Sequence, residues 1–130
     1  PPRSTLFPYT TLFRSTTLVV QYGEFTALLT GDISSEQEKE ILPQVQSYAP
    51  FDLLKAAHHG SKYSSCTEFL DEVSPSACII SCGTDNSYGH PHAETIDRID
   101  AARSEIYRTD EMGAVLVNLR DGKVNIRGYR

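Results

Sequence analysis

The 130-residue chain contains no tryptophan, one methionine and only three cysteines, Cys66, Cys78 and Cys82, among which no C-x-x-C pair occurs. An odd number of cysteines without paired spacing argues against a disulfide framework and is compatible with a reducing compartment. The three read instead as small buried apolar groups. Positive charge is also scarce, with 12 Lys and Arg against 17 Asp and Glu and a net charge of -5. A protein that holds nucleic acid through a broad basic coat needs the opposite balance, so any phosphate contact must be local. No run approaches the roughly 18 to 20 apolar residues of a membrane span. Nor does any stretch combine a basic start, an apolar centre and a small-residue cleavage site, so a soluble domain is expected. The absence of a G-x-S-x-G elbow weighs against a serine hydrolase.

A chain of this length has room for one domain with one hydrophobic core. Residues 1–15, PPRSTLFPYTTLFRS, repeat STLF and TTLF without a period that would lay one face on a core, and read as a non-native or frayed leader. Residues 16–130 are the domain proper. TTLVVQY and FTALLT are β-rich runs on either side of Gly23-Glu24, the length of a tight hairpin loop. After Thr30-Gly31-Asp32, Ser34 or Ser35 caps a helix with Gln37 or Glu38 completing the capping box, and the helix runs to about Ser47 unless Pro43 bends or ends it. The apolar run at 52–57 suits a strand in a sheet covered on both faces. Ser65 with Glu68 forms a second capping box for a helix to Val73, and 77–81 is another buried strand. Pro91 suits the first turn of a helix at 92–102 with Ile96 and Ile99 inward. Strands at 105–108, 113–119 and 124–129 follow, the last two joined across Asp121-Gly122. The expected class is α/β, a mixed α+β sheet with helices packed on it.

All four histidines fall in two clusters, His58-His59 and His90-Pro91-His92, each at a strand-to-helix junction. Asp32 also lies just past a strand end, and in such layouts ligands gather at the carboxyl ends of the strands. Imidazoles bind Zn²⁺, Mn²⁺ and iron, and a carboxylate can bridge two ions, so a metal site is one reading. Solvated loop histidines, with Asp32 as a turn former or helix cap, are the other. Gly60 lets the backbone come close to a ligand. Ser61, Lys62, Ser64 and Ser65 offer hydroxyls, an ammonium and N–H groups to an anionic oxygen, or simply make a polar turn. Asn86, Ser87, Tyr88 and Gly89 are turn-forming, and composition alone makes none of them catalytic.

The segments LLTGDI, DLLKAAHHGSKYSS, SCGTDNSYGHPHAETI and YRTDEMGAV occur in that order. Together they closely resemble the carboxyl-terminal metallo-β-lactamase-fold domain of the ComEC family of DNA-uptake proteins, from about Thr16 to the end, a likeness shared with stand-alone hydrolases of that fold. The resemblance implies the second half of an αββα sandwich with one or two ions, Zn²⁺ or Mn²⁺, at its sheet edges. Asp32 matches the bridging carboxylate, and His58 or His59 the histidine ligand. His90 and His92 are implied to contact a phosphate or protonate a leaving group, and Ser61, Lys62 and Asn86 to bind substrate. The implied activity is phosphodiester or nuclease chemistry on single-stranded DNA in a membrane-attached bacterial parent whose domain faces solvent. A stand-alone, cytoplasmic hydrolase of another small ester or phosphodiester is the alternative, as is an inactive fragment. Ala57 stands where the family often has proline. The fold's H-x-H-x-D-H cluster is absent, which implies truncation, an incomplete ligand set and a missing amino-terminal half as partner. A partial set binds metal poorly.

Overall fold

A computed structural model describes residues 2–7 and 15–130. The β-rich runs form strands β2 (Thr17–Tyr22) and β3 (Phe25–Leu29), paired antiparallel with Tyr22 opposite Phe25, so Gly23-Glu24 is a two-residue hairpin loop. Strand β1 (Arg3–Phe7) adds antiparallel to the other side of β2. The expected leader therefore includes an edge strand, and its positions 1 and 8–14 lie outside the described residues. Strands β4 (Leu53–Lys55), β5 (Ala77–Ile80) and β6 (Glu105–Arg108) continue the sheet in parallel, giving six strands in the order β1 to β6.

Each parallel crossover carries a helix: α1 (Ser35–Val45), α2 (Thr67–Val73) and α3 (Ala93–Ala101). Alternation along the strands sorts the side chains between two faces. Val19, Leu28, Leu54, Cys78 and Ile80 meet Ile41, Val45, Phe69, Leu70, Val73 and Ile99 from the helices in one enclosed core. Their neighbours Ala27, Leu53 and Ala77 face the other side, where Val117 and Ile126 pack on them. Those two residues belong to β7 (Ala114–Arg120) and β8 (Lys123–Tyr129), a hairpin joined at Asp121-Gly122 that follows the short helix α4 (Thr109–Met112). The sheet is thus covered on both faces, but the hairpin is a separate two-stranded ribbon rather than part of the mixed sheet.

Three local expectations change. Helix α1 passes through Pro43, because the donor lost there would have served an exposed turn near the helix end. Ser34 caps α1 in a full capping box with Gln37, whereas the Ser65 and Glu68 box does not form. Ser65 has φ 55 and its N–H bonds the Glu38 carboxylate, so an acceptor reaching across from α1 replaces the local hydroxyl. Pro91 precedes the helix, which begins at Ala93 with His92 as N-cap.

Candidate functional site

Strands β3, β4 and β5 end side by side, and the loops that leave them build one rim. Thr30 is buried beyond β3, and its hydroxyl donates to the Lys55 carbonyl at 2.7 Å. The Gly31 carbonyl accepts from the His58 N–H at 2.9 Å and from Lys55 Nζ at 3.1 Å. These bonds tie the Asp32 turn to the end of β4. The chain then makes a short 3₁₀ turn, Ala57–Gly60, in which His58 (φ 50, ψ 44) and His59 (φ 56, ψ 26) are left-handed. Two consecutive non-glycine residues in that region each cost roughly 1–2 kcal/mol, a strain kept where the surroundings fix it. The result is that both imidazoles stand outside the core, exposed at the rim.

Gly60 (φ 82) has a structural use beyond the expected approach to a ligand. A Cβ there would meet the Pro91 Cβ at 2.6 Å, and the Gly60 carbonyl accepts from the His92 N–H at 2.9 Å. This contact seats the second histidine segment against the first. His90 comes within 5.7 Å of His58, 6.4 Å of His59 and 5.0 Å of His92, centroid to centroid. His59 Nε2 stands 3.6 Å from Asp32 Oδ1. Asp32 and all four imidazoles, separated by up to sixty positions in sequence, are brought together.

Hydrogen bonding distinguishes the rings. His59 Nδ1 lies 2.7 Å from the Ser81 carbonyl, which only accepts, so Nδ1 carries the proton. Nε2 is then the ring nitrogen turned toward the Asp32 carboxylate, and it is the one that can offer a lone pair. His92 is the reverse: its Nδ1 accepts from the Lys62 N–H at 3.2 Å, which leaves the proton on Nε2. Burial, and then the neighbouring His92, His58 and His59, lower the pKa of His90 from its ordinary value, against an opposing pull from Asp32. Burial likewise lowers the Lys55 ammonium, with Asp32 opposing.

The loop after Gly60 is held from below. Arg98 on α3 donates to the carbonyls of Ser65 (2.8 Å), Ser64 (2.9 Å) and Lys62 (3.0 Å), and the Thr95 hydroxyl donates to that of Ser61 (2.8 Å). Ser61 is buried, with its hydroxyl accepting the Tyr63 N–H, and Ser64 donates to the Ile33 carbonyl. The Asn86 amide donates to the Gly83 and His90 carbonyls and accepts the His90 N–H, so it braces the loop. Of the three residues expected to bind substrate, Lys62 is the one with an exposed side chain; Ser61 is buried and Asn86 is engaged by backbone. Glu38, Ser81, Thr95 and Arg98 were not legible as site residues. They act on or through backbone groups, and the sequence pattern marks only their helices and strands.

Among the described residues, no group of three or more His, Cys, Asp or Glu side chains has an arrangement that could hold a metal ion. No helix among them is long and apolar enough to cross a membrane. No family model matches the chain. It is similar to ComE operon protein 3 of Bacillus subtilis strain 168, 35% identical over 104 residues that make up 78% of the chain and 13% of that protein. It is 31% identical to Recombination protein 2 of Haemophilus influenzae over 116 residues, 89% of the chain and 14% of that protein. With Competence protein ComA of Neisseria gonorrhoeae the identity is 32% over 117 residues, 90% of the chain and 17% of that protein. The chain therefore spans 13% to 17% of the length of these curated relatives. These homologues indicate a competence-related family, ComEC/ComE, and it is to one segment of its longer members that the chain is similar.

Proposed function

We propose that this chain is the part of a metal-dependent phosphodiesterase of metallo-β-lactamase fold that carries Asp32 and both histidine clusters, acting on single-stranded DNA in a ComEC-like uptake protein. One observation carries the reading: the bond from His59 Nδ1 to Ser81 commits that nitrogen to the backbone and leaves Nε2, the nitrogen able to ligate, 3.6 Å from the Asp32 carboxylate. A cation between them satisfies both, and a ring nitrogen held by a backbone carbonyl is the usual support for a ligating histidine. Asp32 and His59 would hold Zn²⁺ or Mn²⁺, with His58 as the other candidate ligand.

An ion bound there supplies Lewis acidity, lowering the pKa of a water toward neutrality and offsetting charge on a phosphoryl oxygen. The chain's own groups divide the remaining work. His92 presents Nε2–H, a donor suited to an anionic oxygen or a leaving group. His90, whose pKa burial and the neighbouring imidazoles lower, stands between the other rings, its charged form disfavoured. Lys62, whose backbone N–H bonds His92, adds an exposed side-chain ammonium on the same loop. The reading includes further ligands from an H-x-H-x-D-H segment elsewhere in a longer, membrane-attached polypeptide, packed as the other half of an αββα sandwich and leaving this domain exposed to solvent.

Calorimetric titration with Mn²⁺ or Zn²⁺, and assays on single-stranded DNA and a chromogenic phosphodiester, test the proposal. Asp32→Ala is expected to abolish both metal binding and turnover, and His59→Ala to weaken binding at least about tenfold. A wild-type chain that binds neither ion refutes it. The small donor set favours a second reading, an inactive fragment, which is selected by metal binding without turnover on either substrate.

A further inference from the structure

An acidic chain that binds an anionic polymer needs affinity from something other than a coat of Lys and Arg, and the rim offers it in aromatic form. Tyr88 is 76% exposed and Tyr63 is 68% exposed, unusual for rings that bury easily. Tyr88 is not loosely placed. Its ring stacks on His90 with centroids 5.7 Å apart and planes at 22°, so one face is backed by the histidine cluster and the ring as a whole remains open. Tyr63 follows Lys62, whose N–H is bonded to His92 and whose ammonium lies 5.3 Å from the Tyr63 ring centroid. The Tyr63 carbonyl is fixed by the N–H and hydroxyl of Ser35, at 2.8 and 2.9 Å. Exposed aromatic faces together with positive charge are the features by which proteins hold single-stranded nucleic acid without reading sequence.

We infer that Tyr88, with Tyr63 and Lys62 on the loop bonded to His92, forms a stacking ledge for a nucleobase next to the phosphodiester at the histidine cluster. The ledge rests on the phosphodiesterase reading for the choice of polymer. It makes the substrate a base-bearing single strand rather than any phosphodiester, and its contribution is insensitive to salt because stacking releases no counterions.

Anisotropy of a labelled oligo(dT) and of an abasic deoxyribose-phosphate oligomer of the same length, at low salt in EDTA, tests the ledge without turnover. Wild type is expected to prefer oligo(dT) by about tenfold or more. Tyr88→Ala removes the preference and leaves the abasic affinity unchanged, whereas Tyr88→Phe keeps it. Tyr129→Ala, which removes a comparably exposed ring on β8, changes neither, and unchanged thermal unfolding shows that each variant is folded. Equal binding of the two polymers by wild type, no binding of either, or an equal loss in Tyr129→Ala overturns the inference. Metal-dependent turnover without a base preference would remove the ledge and leave the phosphodiesterase. A base preference in EDTA with no turnover under any metal would do the reverse.

Discussion

Ser81 contributes no side chain to the cluster, yet its carbonyl fixes which nitrogen of His59 is free. That carbonyl is itself held in place one residue on. The Thr109 hydroxyl accepts from the Cys82 N–H at 2.9 Å and donates to the Cys82 carbonyl at 2.8 Å, locking the backbone where β5 ends. Thr109→Val keeps the side-chain shape and orphans both groups, a cost of about 1–3 kcal/mol that Thr109→Ser restores. Urea unfolding measures the cost, and ring ¹⁵N shifts of His59 are expected to show the Nδ1–H form in the serine variant and a mixture in the valine variant. An unchanged tautomer in Thr109→Val would break the link to the site. At this scale Asp32 and the histidines were legible, because rare residue types recur at strand ends. Ser81 and Thr109 were not, because a carbonyl and a strand-terminal hydroxyl are common everywhere.

Between elements, the clearest device is the carboxylate of α1 that caps α2. Glu38 is fully buried and accepts from the Ser65 N–H at 2.6 Å and the Cys66 N–H at 3.0 Å. Burial pushes its pKa up from 4.5 to about 7, while those N–H groups and Arg98 hold it back. The folded state then keeps the proton more tightly than the unfolded chain does. The stability this group contributes is full below about pH 4.5 and is lost as pH rises through about 7, on the order of 3 kcal/mol. Urea midpoints of wild type should therefore fall relative to those of Glu38→Gln between about pH 5 and pH 8. A constant difference across that range would show that Glu38 does not titrate there. The capping box of α1 was readable because its partners lie three residues apart. The cap of α2 spans 27 positions, and no local window contains it.

At the scale of the molecule the two sheet faces are unequal. The helix side is a closed core of large side chains, whereas the ribbon side has Ala27, Leu53 and Ala77 bordered by half-buried Val20, Phe25, Ile79 and Tyr107. Leu54→Ala on the helix side is expected to cost about 2–5 kcal/mol, and Ile126→Ala on the ribbon about 1 kcal/mol. Chemical denaturation of both variants checks the asymmetry, and equal losses would contradict it. β-Rich runs about Gly23-Glu24 made β2 and β3 legible, and short continuous apolar runs marked β4 and β5 as strands of a sheet covered on both faces. Where the last hairpin sits was not legible, since Asp121-Gly122 specifies a turn and says nothing about which neighbour the ribbon chooses.

One contact has a reach larger than its size. Gly60 and Pro91 touch where any branch at position 60 would act as a wedge, and the two histidine loops pivot on that point. A single added methyl would leave every donor atom of the rim in the polypeptide and still spread the loops apart. The hydrogen atom at Cα of Gly60 is in that sense as much a component of the centre as the imidazoles it keeps in register.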